Sequence, residues 1–286
     1  IFSHCTIDTI FLNDSKYVVP GGAACYCSLM ARILKFDVTL HTKFGSDFPI
    51  SDYLSEQKIM FKNALSTKLT THFVLKIFDS ERVLILENKC EPINFTETDS
   101  DSILISPVFD EIPNEMFDKI KKKSSFTLLD PQGFLRRKDF ENKIYLEKTD
   151  LDLSGISAIK TNKDELKCIT GSCEVDGMKT LQKNGINNVI LTDKQNISLL
   201  SKDKIYSIKL PNIELNDTTG IGDIFCAVFC CTMIKENDIL WALSFAGGAA
   251  QAALESNQIG LDKIPSKGAI ESNASYFYNT IKFKQI

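Results

Sequence analysis

Apolar runs of strand length alternate with amphipathic segments of helical period through the middle of this chain. Short apolar runs indicate strands, and an apolar position every three or four residues indicates a helix. The predicted strands lie at residues 103–106, 126–130, 156–160 and 189–192, and the predicted helices at 113–123, 163–169 and 175–184. Strands that alternate with helices at this spacing predict a mainly parallel sheet with helices on both faces.

The part of the chain before this region is richer in strands. Residues 1–12 and 38–44 predict strands, and the small and apolar residues 23–34 predict a helix that packs close to a sheet. Two β-rich runs, 71–78 and 82–87, predict a hairpin outside the α/β alternation, which we interpret as part of a small lid.

This predicted hairpin carries apolar residues on both faces, more than a one-sided hairpin buries. One face is therefore expected to close over a substrate. The other face is expected to pack on a second copy of the chain, which would also remove an exposed sheet edge. The alternative is that both strands belong to the main sheet and are covered by its helices.

The last third of the chain predicts a second hairpin, two long apolar helices and a polar C-terminal helix. The hairpin strands lie at 197–200 and 205–210, and the long helices at 223–235 and 239–254. A loop that contains two glycines, at 216–223, joins this hairpin to the first long helix.

The composition is that of an ordinary soluble globular protein, with 43% hydrophobic and 24% charged residues and a net charge of −4 over 286 residues. The lysines are scattered rather than gathered into a stripe, which disfavours a nucleic-acid partner. The longest apolar run, 224–234, is shorter than the ~20 residues that span a bilayer, and no basic-then-apolar leader opens the chain. We expect a cytoplasmic protein without a membrane partner. Because the chain begins at Ile1 rather than at methionine, we also expect that its first residues are missing.

The nine cysteines form no C-x-x-C pair, and the three histidines, His4, His41 and His72, are isolated. A zinc site or a disulfide framework needs closer and more regular spacing. The cysteines are therefore interpreted as reduced, mostly buried thiols.

The segment 217–223, Asp-Thr-Thr-Gly-Ile-Gly-Asp, is the strongest indication of chemistry. Two glycines directly before a helix let successive backbone N–H groups turn toward one point, where the helix dipole also favours an anion. A carboxylate in the first helical turn, Asp223, would lie beside that anion site and could accept the proton of an attacking hydroxyl. The alternative is a glycine-rich turn whose aspartate only caps the helix.

This segment resembles the D-T-x-G-A-G-D signature of the ribokinase-like (PfkB) carbohydrate kinase family, with Ile221 in place of the alanine. Three further landmarks follow the family order. Gly21-Gly22 resembles its paired-glycine helix start, Gly-Ser-Asp at 45–47 its G-x-D, and Asn-Lys-Asp-Glu at 162–165 its N-x-x-E, preceded by Lys160. The resemblance covers nearly the whole chain.

The resemblance implies a single domain over residues 1–286 with an α/β fold. The ribokinase-like fold is a three-layer sandwich with a mainly parallel central sheet and a small β lid, expected here at about 9–20 and 70–90. It also implies that Asp223 is the base, and that the amides of Gly220, Ile221 and Gly222 form the anion hole.

The family resemblance implies ATP and Mg²⁺ as cofactors. Asn162 and Glu165 would hold Mg²⁺ through water, because magnesium keeps much of its hydration. The alternative for this pair is a helix N-cap with a capping-box glutamate.

The implied ATP site lies in the C-terminal half. Thr192 matches the threonine before the T-x-G-x-x-G nucleotide turn of the family, but the glycine positions here hold Lys194 and Gln-Asn-Ile at 195–197. Lys194 would bind a nucleotide phosphate, or it is a solvated hairpin lysine. The remaining residues assigned to ATP are Thr218, Gly248 and Asn257. The alternative for Gly248 is tight helix–helix packing.

For the acceptor, Asp8 resembles the family aspartate that binds sugar hydroxyls, and its alternative is a surface aspartate at a strand end. Gly21 and Gly22 would lie beside it. A strand end at Asp130 offers three polar side chains to the crevice where α/β proteins bind ligands. These are Asp130, Gln132 and Arg136, the last of which could instead form a surface ion pair.

Together with the 21–26 segment, Gly-Gly-Ala-Ala-Cys-Tyr, these acceptor residues resemble an archaeal-type branch of the family that includes myo-inositol kinases. The chain lacks the asparagine that follows the paired glycines in many sugar and nucleoside kinases of the family.

The expected function is a Mg-ATP-dependent phosphotransferase that phosphorylates a hydroxyl of a small sugar, a polyol such as myo-inositol, or a nucleoside. Its expected partner is a second copy of the chain, bound through the lid. The alternative is a catalytically silent sugar- or nucleotide-binding regulator on the same fold. A dinucleotide-dependent oxidoreductase is disfavoured, because no G-x-G-x-x-G follows the first strand.

Overall fold

The structure is a computed structural model that describes the whole chain except residues 13, 79, 80, 96 and 212–216, and except the side chains of Phe78 and Glu81. Part of the predicted turn at 79–81, and the start of the glycine-containing loop at 216, lie outside these described residues. No helix among them is long and apolar enough to cross a membrane.

The strands are bounded as follows: β1 (Thr6–Leu12), β2 (Ser15–Gly21), β3 (Val38–Thr39), β4 (Ile59–Met60), β5 (Thr71–Phe78), β6 (Glu81–Asn88), β7 (Ser102–Ile105), β8 (Phe126–Leu129), β9 (Arg136–Lys138), β10 (Ile144–Leu146), β11 (Ala158–Asn162), β12 (Asn188–Asp193), β13 (Asn196–Ser201), β14 (Lys204–Lys209) and β15 (Lys282–Gln285). The helices are α1 (Gly22–Ile33), α2 (Ser51–Glu56), α3 (Asn114–Ile120), α4 (Gln132–Leu135), α5 (Lys163–Thr170), α6 (Glu174–Lys183), α7 (Ile221–Glu236), α8 (Ile239–Glu255) and α9 (Lys267–Thr280), with a short 3₁₀ helix at Gly260–Lys263.

The main sheet has seven strands in the order β15-β14-β13-β12-β11-β8-β7. Strands β7, β8, β11 and β12 run parallel, and the hairpin β13–β14 and the final β15 extend the sheet with antiparallel pairs. Phe2 forms parallel bridges with both Ile105 and His41, so the start of the chain continues this sheet beyond β7.

Consecutive residues of the parallel strands are buried on opposite faces of the main sheet. Leu128 packs into one apolar core, and its neighbour Leu129 packs into another. Helices α1, α7, α8 and α9 contribute to the first core, and α3, α5 and α6 to the second. This arrangement is the α/β/α sandwich that the sequence predicts, and it explains why these strands carry apolar residues on both faces.

A second sheet of four strands, in the order β2-β1-β5-β6, is separate from the main sheet. Strand β1 pairs antiparallel with β2 and parallel with β5, and β5 pairs antiparallel with β6. The predicted hairpin is therefore present and lies outside the main sheet.

Two strand predictions differ from the structure. Residues 1–12 are not one strand, because Phe2 belongs to the main sheet while Thr6–Leu12 belongs to the four-stranded sheet. The predicted strand at 38–44 is reduced to Val38–Thr39, followed by single bridges at His41 and Phe44. An apolar pattern indicates an extended backbone, but it does not show where the chain passes from one pairing partner to the next.

Candidate active site

A cleft of about 970 Å³ lies between the four-stranded sheet and the main body, at the ends of β8, β11 and β12 and the start of α7. Most of the residues predicted from the sequence line it. These are Asp8, Gly22, Asp130, Gln132, Arg136, Asn162, Glu165, Thr192, Lys194, Thr218, Gly220, Ile221, Gly222 and Asp223. The predicted residues Gly21, Gly248 and Asn257 are not among those that line it.

The glycine loop before α7 has the backbone that an anion site requires. Gly220 is the N-cap of this helix and has φ +80°, which favours glycine. A Cβ at Gly220 would also collide with the ring of Tyr26, which is buried directly behind it. The Ile221 amide donates to the Thr218 carbonyl at 3.3 Å, whereas the structure gives the Gly220 and Gly222 amides no protein acceptor among the described residues.

A buried ion pair lies next to this loop. Lys160 Nζ is 3.0 Å from Asp130 Oδ2, with side chains 9% and 1% exposed. A Cβ at Gly222 would lie 2.9 Å from the same ammonium nitrogen, so glycine lets the lysine approach the start of α7. Burial alone lowers the pKa of Lys160, but the charges of Asp130 and Glu165 outweigh it and hold this pKa above its usual value.

Asp223 lies in the first turn of α7, inside the cleft. Burial raises its pKa to about 7, the charge of Asp130 adds to this effect, and Lys160 and Arg136 oppose it. A carboxylate with this pKa is partly ionised at neutral pH. It is therefore suited to accept a proton from a bound hydroxyl.

Asn162 and Glu165 form a complete capping box at the start of α5. The Glu165 amide donates to Asn162 Oδ1 and the Asn162 amide donates to Glu165 Oε2, each at 2.8 Å. The capping arrangement is thus present, and both residues also line the cleft. Burial raises the pKa of Glu165, which Lys160 opposes and Asp130 reinforces.

This donor set fits a magnesium ion held through water rather than a direct protein cage. No group of three or more His, Cys, Asp or Glu side chains among the described residues could hold a metal ion. The capping box uses one oxygen of Glu165, and a carboxylate has a second oxygen for a metal-bound water. Mg²⁺ commonly keeps several waters and takes only one or two carboxylates.

One end of the cleft combines a buried carboxylate with a guanidinium group. Asp8 Oδ1 accepts a hydrogen bond from Thr6 Oγ1 at 2.9 Å, and Asp8 Oδ2 lies where a Cβ of Gly21 would be. Burial raises the pKa of Asp8 to about 6, against the effects of the Thr6 hydrogen bond and the Arg136 charge. Asp8 is therefore inside the cleft rather than on the surface.

Arg136 binds neutral oxygens. Its guanidinium donates to the Val108 carbonyl at 2.9 Å and to Gln132 Oε1 at 2.6 Å, and lies 5.9 Å from the centre of the Phe73 ring. Within the described part of the chain it makes no ion pair. The surface ion pair considered from the sequence is absent there, and the arginine faces the cleft.

At the opposite end, Thr192 and Lys194 line the cleft beside an apolar wall formed by Ile197, Leu210, Ala250 and Leu254. Lys194 is in the β12–β13 turn with φ +51°.

Gly248 lies away from the cleft, where α8 packs on α9: a Cβ there would be 2.8 Å from the Ile270 carbonyl oxygen and 2.9 Å from the Ala274 nitrogen. Its small size serves helix packing. Asn257 follows α8 with φ +53° and does not line the cleft.

Gly45 and Asp47, which match the G-x-D of the family, support the four-stranded sheet from outside the cleft. Thr70 donates to Asp47 Oδ1 through its amide at 2.9 Å and its hydroxyl at 2.7 Å, and the Gly45 amide donates to Thr70 Oγ1 at 2.9 Å. These bonds fix the residue that precedes β5.

The sequence did not reveal two basic residues beside the glycine loop. Arg82, from β6, donates to Thr218 Oγ1 at 3.3 Å. Lys263, from the 3₁₀ helix, is 1% exposed and forms a 2.6 Å ion pair with Asp217. Neither stands in a recognisable local motif, and Lys263 is 46 residues away from its partner in the chain.

The four-stranded sheet presents one face to the cleft through alternate residues of its strands. Asp8 and Ile10 of β1, Phe73 and Leu75 of β5, and Leu84 of β6 line the cleft. A period of two is what a strand requires to place side chains on one face. The outer strand β2 leaves Val18 and Tyr17 exposed.

Comparison with known proteins agrees with this geometry. The profile of the pfkB family carbohydrate kinases matches residues 12–266. A cytidine kinase from Thermococcus kodakarensis is 25% identical over 246 residues, which cover 80% of this chain and 86% of that protein.

Two solved structures have the same fold. A pyrophosphate-dependent kinase in the ribokinase family, complexed with a pyrophosphate analogue and myo-inositol, has a TM-score of 0.81 at 18% identity, over 95% of this chain and 98% of that one. The ribokinase of Thermotoga maritima has a TM-score of 0.73 at 18% identity, over 96% of this chain and 99% of that one. The family profile spans most of the sequence, and this chain therefore belongs to the pfkB family of carbohydrate kinases.

Proposed function

We propose that this protein transfers the γ-phosphoryl group of Mg-ATP to a hydroxyl of a small sugar, a polyol such as myo-inositol, or a nucleoside. One observation carries the proposal: Asp223 and the Gly220–Gly222 loop share a single cleft with the acceptor-side residues Asp8 and Arg136. A base, an anion site and polar groups for a polyhydroxylated acceptor are the parts that phosphoryl transfer to an alcohol needs.

In this mechanism Asp8 and Arg136 orient the acceptor, and Asp223 accepts the proton of the attacking hydroxyl. The oxygen then bonds to the γ-phosphorus while the bond to the β-phosphate oxygen breaks, and ADP leaves. The Gly220 and Gly222 amides and the dipole of α7 stabilise the negative charge on the phosphoryl oxygens. When bound, Mg²⁺ would neutralise part of the phosphate charge, held through water by Asn162 and Glu165.

Arg82 belongs to the same proposal as a donor-side cation. It reaches Thr218 from the four-stranded sheet, next to the proposed anion hole. A guanidinium group at this place would bind phosphate oxygens when the sheet closes over the cleft. Thr192, Lys194 and Thr218 are proposed to contact ATP, whereas the position of Gly248 and Asn257 outside the cleft lining argues against direct contact.

A screen of acceptors tests the function. Purified protein is mixed with Mg²⁺ and ATP, or with Mg²⁺ and pyrophosphate, and with each member of a panel of polyols, sugars and nucleosides. Both donors are included because Lys194 replaces a nucleotide-turn glycine and a relative of the same fold is named pyrophosphate-dependent. We expect acceptor-dependent release of ADP. Binding of ATP without turnover of any compound would favour the silent regulator.

The magnesium assignment predicts that Glu165→Gln raises the Mg²⁺ concentration needed for half-maximal rate by about 10-fold, in line with losses seen when outer-shell metal partners change. Glutamine can still accept the hydrogen bond from the Asn162 amide, so the capping box and the fold are retained. A magnesium titration of the rate measures the effect. An unchanged titration would mean that this pair serves only to cap α5.

We also propose that the four-stranded sheet is a lid over the acceptor and that its β2 edge pairs with a second copy of the chain. Hydrogen exchange of residues 71–87 should slow when the acceptor binds, because closure excludes water from the cleft. Light scattering should give the mass of a dimer, and Val18→Lys on the exposed edge should give a monomer. Equal protection in both states together with a monomeric wild type would reject both roles.

A cytoplasmic location is part of the proposal. All nine cysteines are free thiols, and seven of them are buried. Reduced thiols are typical of proteins in the cytosol.

A further inference from the structure

A buried lysine holds the backbone of the glycine loop from the side opposite the cleft. Lys263 Nζ donates to Asp217 Oδ2 at 2.6 Å, to the Asp217 carbonyl at 3.1 Å and to the Thr219 carbonyl at 3.0 Å. These three bonds use all three N–H donors of the ammonium group. We propose that Lys263 is a positioning residue that orients the anion hole for phosphoryl transfer, an inference that rests on the proposed function.

The geometry of the peptide bond links Lys263 to the Gly220 amide. In a planar trans peptide the carbonyl of one residue and the N–H of the next point in opposite directions. The Thr219 carbonyl points to Lys263, so the N–H of Gly220 points away from it. Gly220 lines the cleft and Lys263 does not. The lysine therefore fixes the direction of an anion-hole amide without touching the ligand.

Lys263 also acts electrostatically on the loop. Asp217 stands three residues before Gly220, and its side chain is 1% exposed. Burial would raise the pKa of Asp217, but the Lys263 charge and its hydrogen bond outweigh burial and keep the carboxyl ionised. An unpaired carboxylate here would repel the phosphate charge that the loop must bind. Lys263 cancels this repulsion.

The oxygens around Lys263 fit an ammonium group better than a guanidinium group. Asp217 and Thr219 present one carboxylate and two carbonyl oxygens to one point, which a compact ammonium can satisfy. A guanidinium group is planar and directs its donors outward as a fork, so it cannot place three N–H groups at one point. The loop therefore requires lysine, and arginine would preserve the charge but distort the backbone.

The experiment compares wild type with Lys263→Ala for the best acceptor of the screen. We expect kcat to fall by about 10²-fold, the cost typical of losing one anion-hole donor. The acceptor KM should change by less than about 3-fold, because Lys263 is not in the acceptor half of the cleft. Affinity for the non-hydrolysable donor β,γ-imido-ATP, measured by calorimetry, should fall by about 10-fold.

Chemical rescue separates positioning from a general structural role. Alanine leaves a space lined by the three oxygens, and ammonium or methylammonium ions supply the missing charge and N–H donors. Millimolar methylammonium should raise the kcat of the alanine variant by at least about 10-fold, a gain of roughly 1.4 kcal/mol in transition-state stabilisation. Tetramethylammonium, which has the charge but no N–H, should restore nothing, and neither ion should affect wild type.

Lys121→Ala is the matched control. Lys121 is 1% exposed and is paired with Asp118 and Asp152, but it does not line the cleft. Its removal costs stability in the same way, and the folded fraction should retain the wild-type kcat and donor affinity. If Lys263→Ala does not fold, Lys263→Arg takes its place, with the same expected loss of kcat but without rescue.

The proposal is overturned if Lys263→Ala or Lys263→Arg folds and keeps wild-type kcat and donor affinity, or if methylammonium and tetramethylammonium act alike on the alanine variant. A wild type that binds β,γ-imido-ATP but phosphorylates no acceptor would reject the proposed function alone, and the donor affinities would then decide the role of Lys263. A wild type that binds no donor would reject both.

Discussion

Asp223→Asn is expected to lower kcat by about 10²–10⁴-fold while leaving the KM values nearly unchanged. Asparagine keeps the shape of the side chain but cannot accept the proton of the attacking hydroxyl. The substitution leaves in place the groups proposed to bind acceptor and donor, which are Asp8, Arg136 and the Gly220–Gly222 loop. Steady-state kinetics with varied acceptor and varied ATP measure the separation of kcat from KM.

Asp176→Asn is the control for this substitution. Asp176 also lies in the first turn of a helix, α6, but outside the cleft, and the same change there should leave kcat unaltered. Turnover by a folded Asp223→Asn variant within a few-fold of wild type would remove Asp223 from the base role.

The raised pKa of Asp223 also predicts the pH dependence of the reaction. The base works when ionised, so kcat/KM should fall as the pH is lowered through about 7. The Asn variant should lack this acid limb. Lys160 lowers the pKa of Asp223 and Asp130 raises it, so Asp130→Asn should move the limb to lower pH.

The raised pKa of Asp223 also makes the stability of the fold depend on pH. Its pKa of about 7 in the folded protein is above the 3.8 of an aspartate in an unfolded chain, so between these pH values the folded state holds a proton that the unfolded state has released. Stability therefore falls as pH rises through this window. Asp223→Asn should melt at a higher temperature than wild type at pH 8, and the difference should shrink toward pH 4.

Gly220→Ala is the second substitution with a large expected effect. The residue has φ +80°, where an L-residue costs about 1–2 kcal/mol, and the added methyl group would enter the ring of Tyr26. The loop must shift, and the Gly220 and Gly222 amides then lose their common direction. We expect kcat to fall by about 10²–10³-fold, as when a donor to a developing oxyanion is removed.

Gly171→Ala isolates the backbone strain from the effect on the site. Gly171 has φ +72° at the end of α5, and a Cβ there meets nothing within 4 Å. Gly171→Ala should lower the melting temperature through the same kind of backbone strain, and it should keep full kcat. If both glycine variants lose activity equally, the loss reflects general destabilisation and not the anion hole.

The parallel strands could be predicted from the sequence because both of their faces are buried. Strand β8, for example, has the sequence Phe-Thr-Leu-Leu, and its last three residues are buried, with Leu128 and Leu129 in different cores. Strand β15 could not be predicted in this way. Its four residues, Lys282–Gln285, are all exposed, and it joins the sheet through backbone pairing with β14, which requires no apolar pattern.

In the candidate site, too, some residues have a signal in the sequence and others are placed only by the fold. Asp223 and the glycines stand in one contiguous segment, so their chemistry is readable in the sequence alone. The Asn162 and Glu165 spacing is compatible both with capping and with the metal role that the family resemblance implies, and the fold brings this pair into the cleft. Lys263 depends on a contact between distant segments and has no signal along the chain.

Phosphorus NMR of a reaction with ATP, Mg²⁺ and the preferred acceptor tests the central claim most directly. A new phosphate monoester signal should grow in equal amount with ADP, require the acceptor, and be nearly absent with Asp223→Asn. Formation of inorganic phosphate alone, or an equal rate of ester formation by the Asn variant, would contradict it.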